Sequence, residues 1–112
     1  MKLLTAVVQQ HKVDEVRNSL AELGVRGMTI ADVQGYGRQR GHTEIYRGAE
    51  YEVDVVEKTR IEVLVNDDDA DDVLRAVVSS ARSGRVGDGK AWVTPVESVV
   101  RVRTGETGEQ AV

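Results

Sequence analysis

The run from Gly35 to Tyr51, GYGRQRGHTEIYRGAEY, interleaves glycines at 35, 37, 41 and 48 with arginines at 38, 40 and 47. Glycine lets backbone N–H groups turn towards a ligand and approach it closely, and a guanidinium matches phosphate or carboxylate oxygens as a fork. The chemistry on offer is therefore anion binding. Two further segments share the character: Gly84-Arg85-Val86-Gly87-Asp88-Gly89-Lys90 and Arg101-Val102-Arg103-Thr104-Gly105. On a strand, Arg101 and Arg103 would point to one side and Val100 and Val102 to the other. Clustered N–H groups, a lysine and paired arginines are what a polyphosphate needs. Neither glycine stretch is a Walker loop, because the spacing differs and no Ser or Thr follows Lys90. Singly, a glycine-rich segment is ordinarily a turn and an Arg pair ordinarily faces solvent. The three make a site only where the fold, or an interface between copies, brings them together.

The elements that must position them can be read from periodicity. Leu3–Val8 is a short strand, apolar enough to be buried on both faces. Val13, Val16, Leu20 and Leu23 fall at helical spacing, and Gly24 supplies the stop. A second strand opens at Gly27, with Met28 and Ile30 on one face and Thr29, Ala31 and Val33 on the other. Regular structure resumes near Arg60, where Ile61, Val63 and Val65 share a face opposite Glu62 and Leu64. The acidic run from Asn66, NDDDADD, is expected to cap the next helix start and to favour its positive dipole end. Ala70, Val73, Leu74, Val77, Val78 and Ala81 mark that helix as amphipathic. Two closing strands are expected, Ala91–Val96 and Val99–Arg103, and then a flexible tail over about residues 105–112. The order is the split βαβ, ferredoxin-like βαββαβ arrangement of α+β proteins, as a single domain over 1–112. Two helices cover one side of a four-stranded sheet, so the other side needs a second copy of the molecule.

Composition narrows the classes. The chain has 112 residues, 40% of them hydrophobic, a net charge of −4 and no cysteine. That suits one domain with a core of Val, Leu, Ile and Ala. The acidity argues against general nucleic-acid binding, and the aromatic-rich strands that stack RNA bases are missing. The lack of cysteine excludes disulfides, zinc–thiolate sites and a thiol nucleophile. With two histidines, His11 at a helix start and His42 in a loop, a zinc site is not expected. The acidic run does not have the spread of ligands of a calcium loop. No apolar run approaches the roughly 20 residues of a spanning helix, and MKLLTAVVQQHK does not read as a secretory signal. A cytoplasmic location is the expectation. Trp92 reads as packing rather than chemistry.

The runs GYGRQRGHTEIYRGAEY, VRGMTIADVQ, SGRVGDGKAWV and VVRVRTGE resemble the PII family of nitrogen-regulatory signal-transduction proteins. The most diagnostic are Tyr46–Tyr51 and Gly84–Lys90, and the resemblance spans essentially the whole chain. It implies a homotrimer of ferredoxin-like subunits with ATP or ADP in each cleft between neighbours. Gly35, Gly37, Arg38 and Gln39 would come from one side, with Thr29, Glu62 and Leu64 around the adenine and ribose. Gly87, Asp88, Gly89 and Lys90 would build the phosphate cradle, and Arg101 and Arg103 would neutralise the polyphosphate. The resemblance also implies 2-oxoglutarate beside Mg-ATP, with Gln39 ligating Mg2+, Lys58 pairing with an effector carboxylate, and Arg40 and Gly41 completing the pocket. A mobile loop over about residues 37–55 would then select partners: an ammonium transporter, a nucleotidylyltransferase, kinases or enzymes of nitrogen metabolism. Contact with a membrane would come only through a transporter. Tyr51 stands at the position uridylylated or adenylylated in some members, with Tyr46 a nearby competitor.

The chain departs from the family pattern in two places. Gln9-Gln10-His11-Lys12 stands where Lys-Pro-Phe-Lys is common, which removes a charge at position 9 near the effector pocket. Asp54-Val55-Val56-Glu57-Lys58 stands where Asp-Phe-Leu-Pro-Lys is common, which is expected to soften the hinge and to place the negative charge of Glu57 beside Lys58. A trimer that keeps the nucleotide cleft but has lost 2-oxoglutarate sensing is the alternative these departures raise. An enzyme, such as a slow nucleotidase, would have Glu50, Glu62 and Asp88 as bases, but no nucleophile–base pair is legible.

Overall fold

A computed structural model of the chain describes residues 1–36 and 55–112 throughout, and the backbone of residues 43–46 and 49–52. Strand β1 (Lys2–Val8) leads into helix α1 (Val13–Glu22) and strand β2 (Thr29–Gly35). A two-stranded antiparallel ribbon follows, β3 (Thr43–Tyr46) with β4 (Ala49–Glu52). Then come β5 (Val56–Val65), α2 (Ala70–Ala81) and β6 (Lys90–Pro95). The main sheet is antiparallel in the order β2-β5-β1-β6. With the ribbon set aside, this is the ferredoxin-like βαββαβ fold.

The pleat sorts the sheet residues. Leu4, Ala6, Val8, Ile61, Val63 and Val65 point to one side and are buried in a core with Val16 and Leu20 of α1 and Ala70, Val73, Val77 and Ala81 of α2. Met28, Ala91 and Val93 pack against its margin. Among the described residues no helix covers the opposite face, where Leu64 and Trp92 stand exposed and Thr5, paired with Trp92 across the strands, is buried.

Helix α1 stops as its sequence dictates. Gly24 takes φ +85°, its N–H donates to the Ala21 carbonyl at 3.0 Å, and the Val25 N–H donates to the Leu20 carbonyl at 3.1 Å. Those two bonds close a Schellman turn, and glycine is the residue that adopts its left-handed position without strain.

Four expectations need correction. Strand β5 begins at Val56 rather than near Arg60, because β2 supplies a ladder partner as far as Gly35↔Val56. The segment between β2 and β5 holds the β3–β4 ribbon. The acidic run does not cap α2 through a side chain: Asp67–Asp69 form a 3₁₀ turn, Asn66 Oδ1 is buried without a hydrogen-bond partner, and Asp67 meets the Met1 ammonium at 2.7 Å. Val99–Arg103 is not a strand; it makes a single antiparallel bridge, Val100↔Thr107, and then turns. Arg101 and Arg103 therefore do not share the side of a strand. Residues 108–111 form a 3₁₀ turn.

Candidate functional site

Lys58 anchors one cluster. It lies on the open face of β5, opposite Val33 of β2, and is 7% exposed. Its ammonium donates to the Gly87 carbonyl. Burial pushes that ammonium below its usual 10.5, and the nearby Asp88 carboxylate partly restores it. Gly35 lies against the Lys58 stem, where a Cβ at 35 would touch Lys58 Cγ at 3.4 Å. Lys58, Gly35, Gly87 and Asp88 thus come together at one end of the open face.

The glycine-rich turn is shaped by positive φ angles, +103° at Gly87 and +97° at Gly89. Asp88 ties its two ends together. Its Oδ2 accepts the N–H groups of Ser83 and Gly84, each at 2.8 Å, and its Oδ1 accepts the Ser83 hydroxyl. The Arg85 N–H donates in turn to Ser83 Oγ at 3.2 Å. Three donors on one carboxylate, with the Arg85 N–H close by, favour its charged form, and they hold Asp88 down to about 2. With both oxygens bonded within the loop, it acts as a clasp that holds Ser83 and Gly84 against Asp88 and so sets the shape of the turn. The sequence marked Asp88 as part of the cradle; it did not mark Ser83, five residues upstream in what reads as an ordinary turn.

A second cluster forms at the other end of β5. Thr29 and Glu62 are cross-strand partners, and both line a hollow of about 780 Å³ with Leu64, Met28, Gly27 and Leu3. Arg60 approaches Glu62 at 3.4 Å along the same face. From Lys58 to Glu62 is four residues, roughly 13 Å of strand. Arg101 is engaged elsewhere, with Glu106 Oε1 at 3.0 Å and the Gln110 carbonyl at 3.1 Å, and Arg103 is exposed.

Glu57 does not crowd Lys58. Adjacent strand residues point to opposite faces, and Glu57 accepts a hydrogen bond from Gln34 Nε2 at 3.2 Å. Among the described residues, Asp88 is the carboxylate whose charge acts on Lys58. Gln9 Oε1 meets His11 Nε2 at 2.5 Å. Gly37, Arg38, Gln39, Arg40, Gly41 and His42 lie outside the described residues, as do the side chains of Tyr46, Glu50 and Tyr51. Among the described residues no group of His, Asp and Glu is placed to hold a metal ion, and no helix is long and apolar enough to cross a membrane.

Residues 1–106 match the family model described as nitrogen regulatory protein P-II. Similar proteins carry that same description over their full length and the full length of this chain. Among them are those of Azospirillum brasilense at 49% identity, Rhizobium meliloti (strain 1021) at 48% and Pasteurella multocida (strain Pm70) at 47%. With the ferredoxin-like fold and the glycine cradle beside Lys58 in place, the chain belongs to the P-II family of nitrogen regulatory proteins.

Proposed function

We propose that this protein is a non-enzymatic, cytoplasmic transducer of nitrogen, carbon and energy status, working as a homotrimer. It binds ATP or ADP in the cleft between neighbouring copies and, with Mg-ATP present, 2-oxoglutarate. The observation that carries the reading is the convergence of the Lys58 ammonium, Gly35 and the positive-φ turn Gly87–Gly89 at one end of an uncovered sheet face. The donor set fits an anion: backbone N–H groups in a turn clasped by Asp88, a buried cation, and Lys90 next to them. Thr29, Glu62 and Leu64 frame a hollow at the far end of the same strand, which suits a base contributed across a seam between copies.

In this reading Gly35, Gly37, Arg38, Gln39, Gly87, Gly89 and Lys90 hold the phosphates, with Arg101 and Arg103 from the neighbouring copy. Asp88 keeps the turn in shape. Gln39 would hold Mg2+, whose charge would offset that of the phosphates. Lys58, Arg40 and Gly41 receive the effector carboxylates. A ligand shifts the loop of residues 37–55 only by binding its conformations unequally, and that difference is what a partner reads. The partners in view are an ammonium transporter, a nucleotidylyltransferase that modifies Tyr51, and enzymes of nitrogen metabolism. Catalysis is disfavoured, because Asp88 is committed to Ser83 and Gly84, and Glu62 to Arg60. Calorimetry with ATP, ADP and 2-oxoglutarate, varied separately and together, tests the reading. Absence of heat with either nucleotide at high protein concentration removes it.

A second reading keeps the nucleotide and drops 2-oxoglutarate. Gln9 favours it, since position 9 brings no charge and its amide is engaged with His11. Glu57 no longer favours it, because it points away from Lys58. A 2-oxoglutarate titration in saturating Mg-ATP separates the two.

A further inference from the structure

Residues 99–108 close into a tight antiparallel turn. The Arg101 N–H donates to the Glu106 carbonyl and the Gly105 N–H to the Arg101 carbonyl, both at 2.8 Å, and the Gly108 N–H donates to the Val99 carbonyl at 3.0 Å. Gly105 and Gly108, at φ +73° and +69°, make its bends. Inside this turn the Arg101 side chain is committed at both terminal nitrogens, Nη1 to the Glu106 carboxylate and Nη2 to the Gln110 carbonyl, at 3.0 and 3.1 Å. One acceptor belongs to the turn's own carboxylate and the other to the segment Gly108–Ala111. A phosphate that took the Nη1–Nη2 edge of this guanidinium as a fork would have to displace both acceptors from it. The Arg101 and Glu106 side chains are 39% and 40% exposed, so water competes for the pair and it is readily exchanged.

We infer that Glu106 is an internal anion held on Arg101 Nη1, so that a phosphate tail taking the Arg101 fork binds by exchange with it and with the Gln110 carbonyl and releases the terminal turn. The inference rests on the proposal that Arg101 meets a polyphosphate. It adds an affinity-setting residue and a structural report of occupancy. Glu106 touches Arg101 rather than the nucleotide, so its effect has two signatures. Removing its charge strengthens nucleotide binding, and ligand binding frees residues 108–112 from protection.

The test uses the full chain. Amide hydrogen exchange over residues 105–112 is followed with and without ATP, and ATP affinity is measured by calorimetry for the wild type, E106Q and R101Q. The expected results are faster exchange at the terminal turn on adding ATP, fast exchange there in R101Q without ligand, and E106Q binding ATP about two- to fivefold more tightly. Exchange that is unchanged or slowed by ATP overturns the inference, as does a folded E106Q that binds no more tightly than the wild type. The exchange comparison uses the unmodified chain, so it decides the matter even where a variant folds poorly. A wild type that binds ATP but fails these tests leaves the nucleotide reading standing; one that binds neither ATP nor ADP removes both.

Discussion

Gly89 passes directly under the carbonyl of Val7: a Cβ built at position 89 would lie 1.7 Å from that oxygen and 2.8 Å from its carbon. The contact seats the glycine-rich turn on β1, one residue before Lys90 pairs with Val7 to begin β6. It fixes the turn's position relative to Lys58 through backbone alone.

Gly89→Ala therefore meets two obstacles, the immovable carbonyl and the +97° φ. The expected cost is above about 3 kcal/mol, among the large effects seen when a special backbone position is filled. Gly84→Ala is the control, because its φ of +85° is comparable but nothing lies within 4 Å of the added methyl. It should cost only about 1–2 kcal/mol, the price of a left-handed L-residue. Urea denaturation midpoints compare the two; equal losses would show that φ rather than the Val7 contact dominates.

The Asp88 clasp should be visible in the acid limb of stability. Its folded value of about 2 lies below the usual 3.8, so the unfolded chain binds more protons in that interval. Stability from the clasp is then full above about 3.8 and lost as pH falls through about 2. Asp88→Asn should be less stable than the wild type at neutral pH, with the difference shrinking between pH 4 and pH 2. A difference that stays constant over that range would mean that packing, not charge, carries the clasp.

The open face makes a claim about assembly. Trp92 is 43% exposed and Leu64 40% exposed on a sheet surface that no helix covers. A second copy is the proposed cover. Sedimentation velocity should give a trimer for the wild type and a monomer for Trp92→Glu, because a carboxylate at that site would be buried without a partner. A monomeric wild type at micromolar concentration would contradict the seam on which the proposed nucleotide binding depends.

Much of this molecule was legible because its strongest signals are periodic. Ile61, Val63 and Val65 announce the buried side of β5, and Val73 and Val77 that of α2, since period 2 and period 3.6 leave different marks. The start of β5 was not legible. Val56-Glu57-Lys58-Thr59 mixes charge with apolar residues, and its pairing comes from β2, distant in sequence. Val99–Arg103 alternates like a strand, yet it lies in a turn stabilised by its own Arg101, and local alternation carries no information on that partner. Glycines 87 and 89 were legible as turn residues because few other residues adopt such φ angles, whereas the Val7 carbonyl against Gly89 depends on sheet register.

Lys58 offers the sharpest separation of stability from function. Its ammonium is buried, and burial pushes it below its usual 10.5, with Asp88 opposing. Between that lowered folded value and 10.5 the unfolded chain binds more protons, so stability climbs with pH across the interval, and the cost of burying the charge is full below it. Lys58→Met keeps the apolar stem and removes the charge. The exchange relieves the desolvation of the amine but takes a donor from the Gly87 carbonyl, and the lowered value of the ammonium says that desolvation is the larger of its influences. The expected thermal midpoint at pH 7 is equal to or above that of the wild type, with the gap closing as pH approaches 10. In the same variant, 2-oxoglutarate binding in the presence of Mg-ATP should weaken at least about tenfold, the loss of one charge-assisted contact. A variant much less stable than the wild type at pH 7 would show that the bond to the Gly87 carbonyl outweighs the desolvation of the amine. Lys58 would then be a structural strut rather than a receptor for the effector.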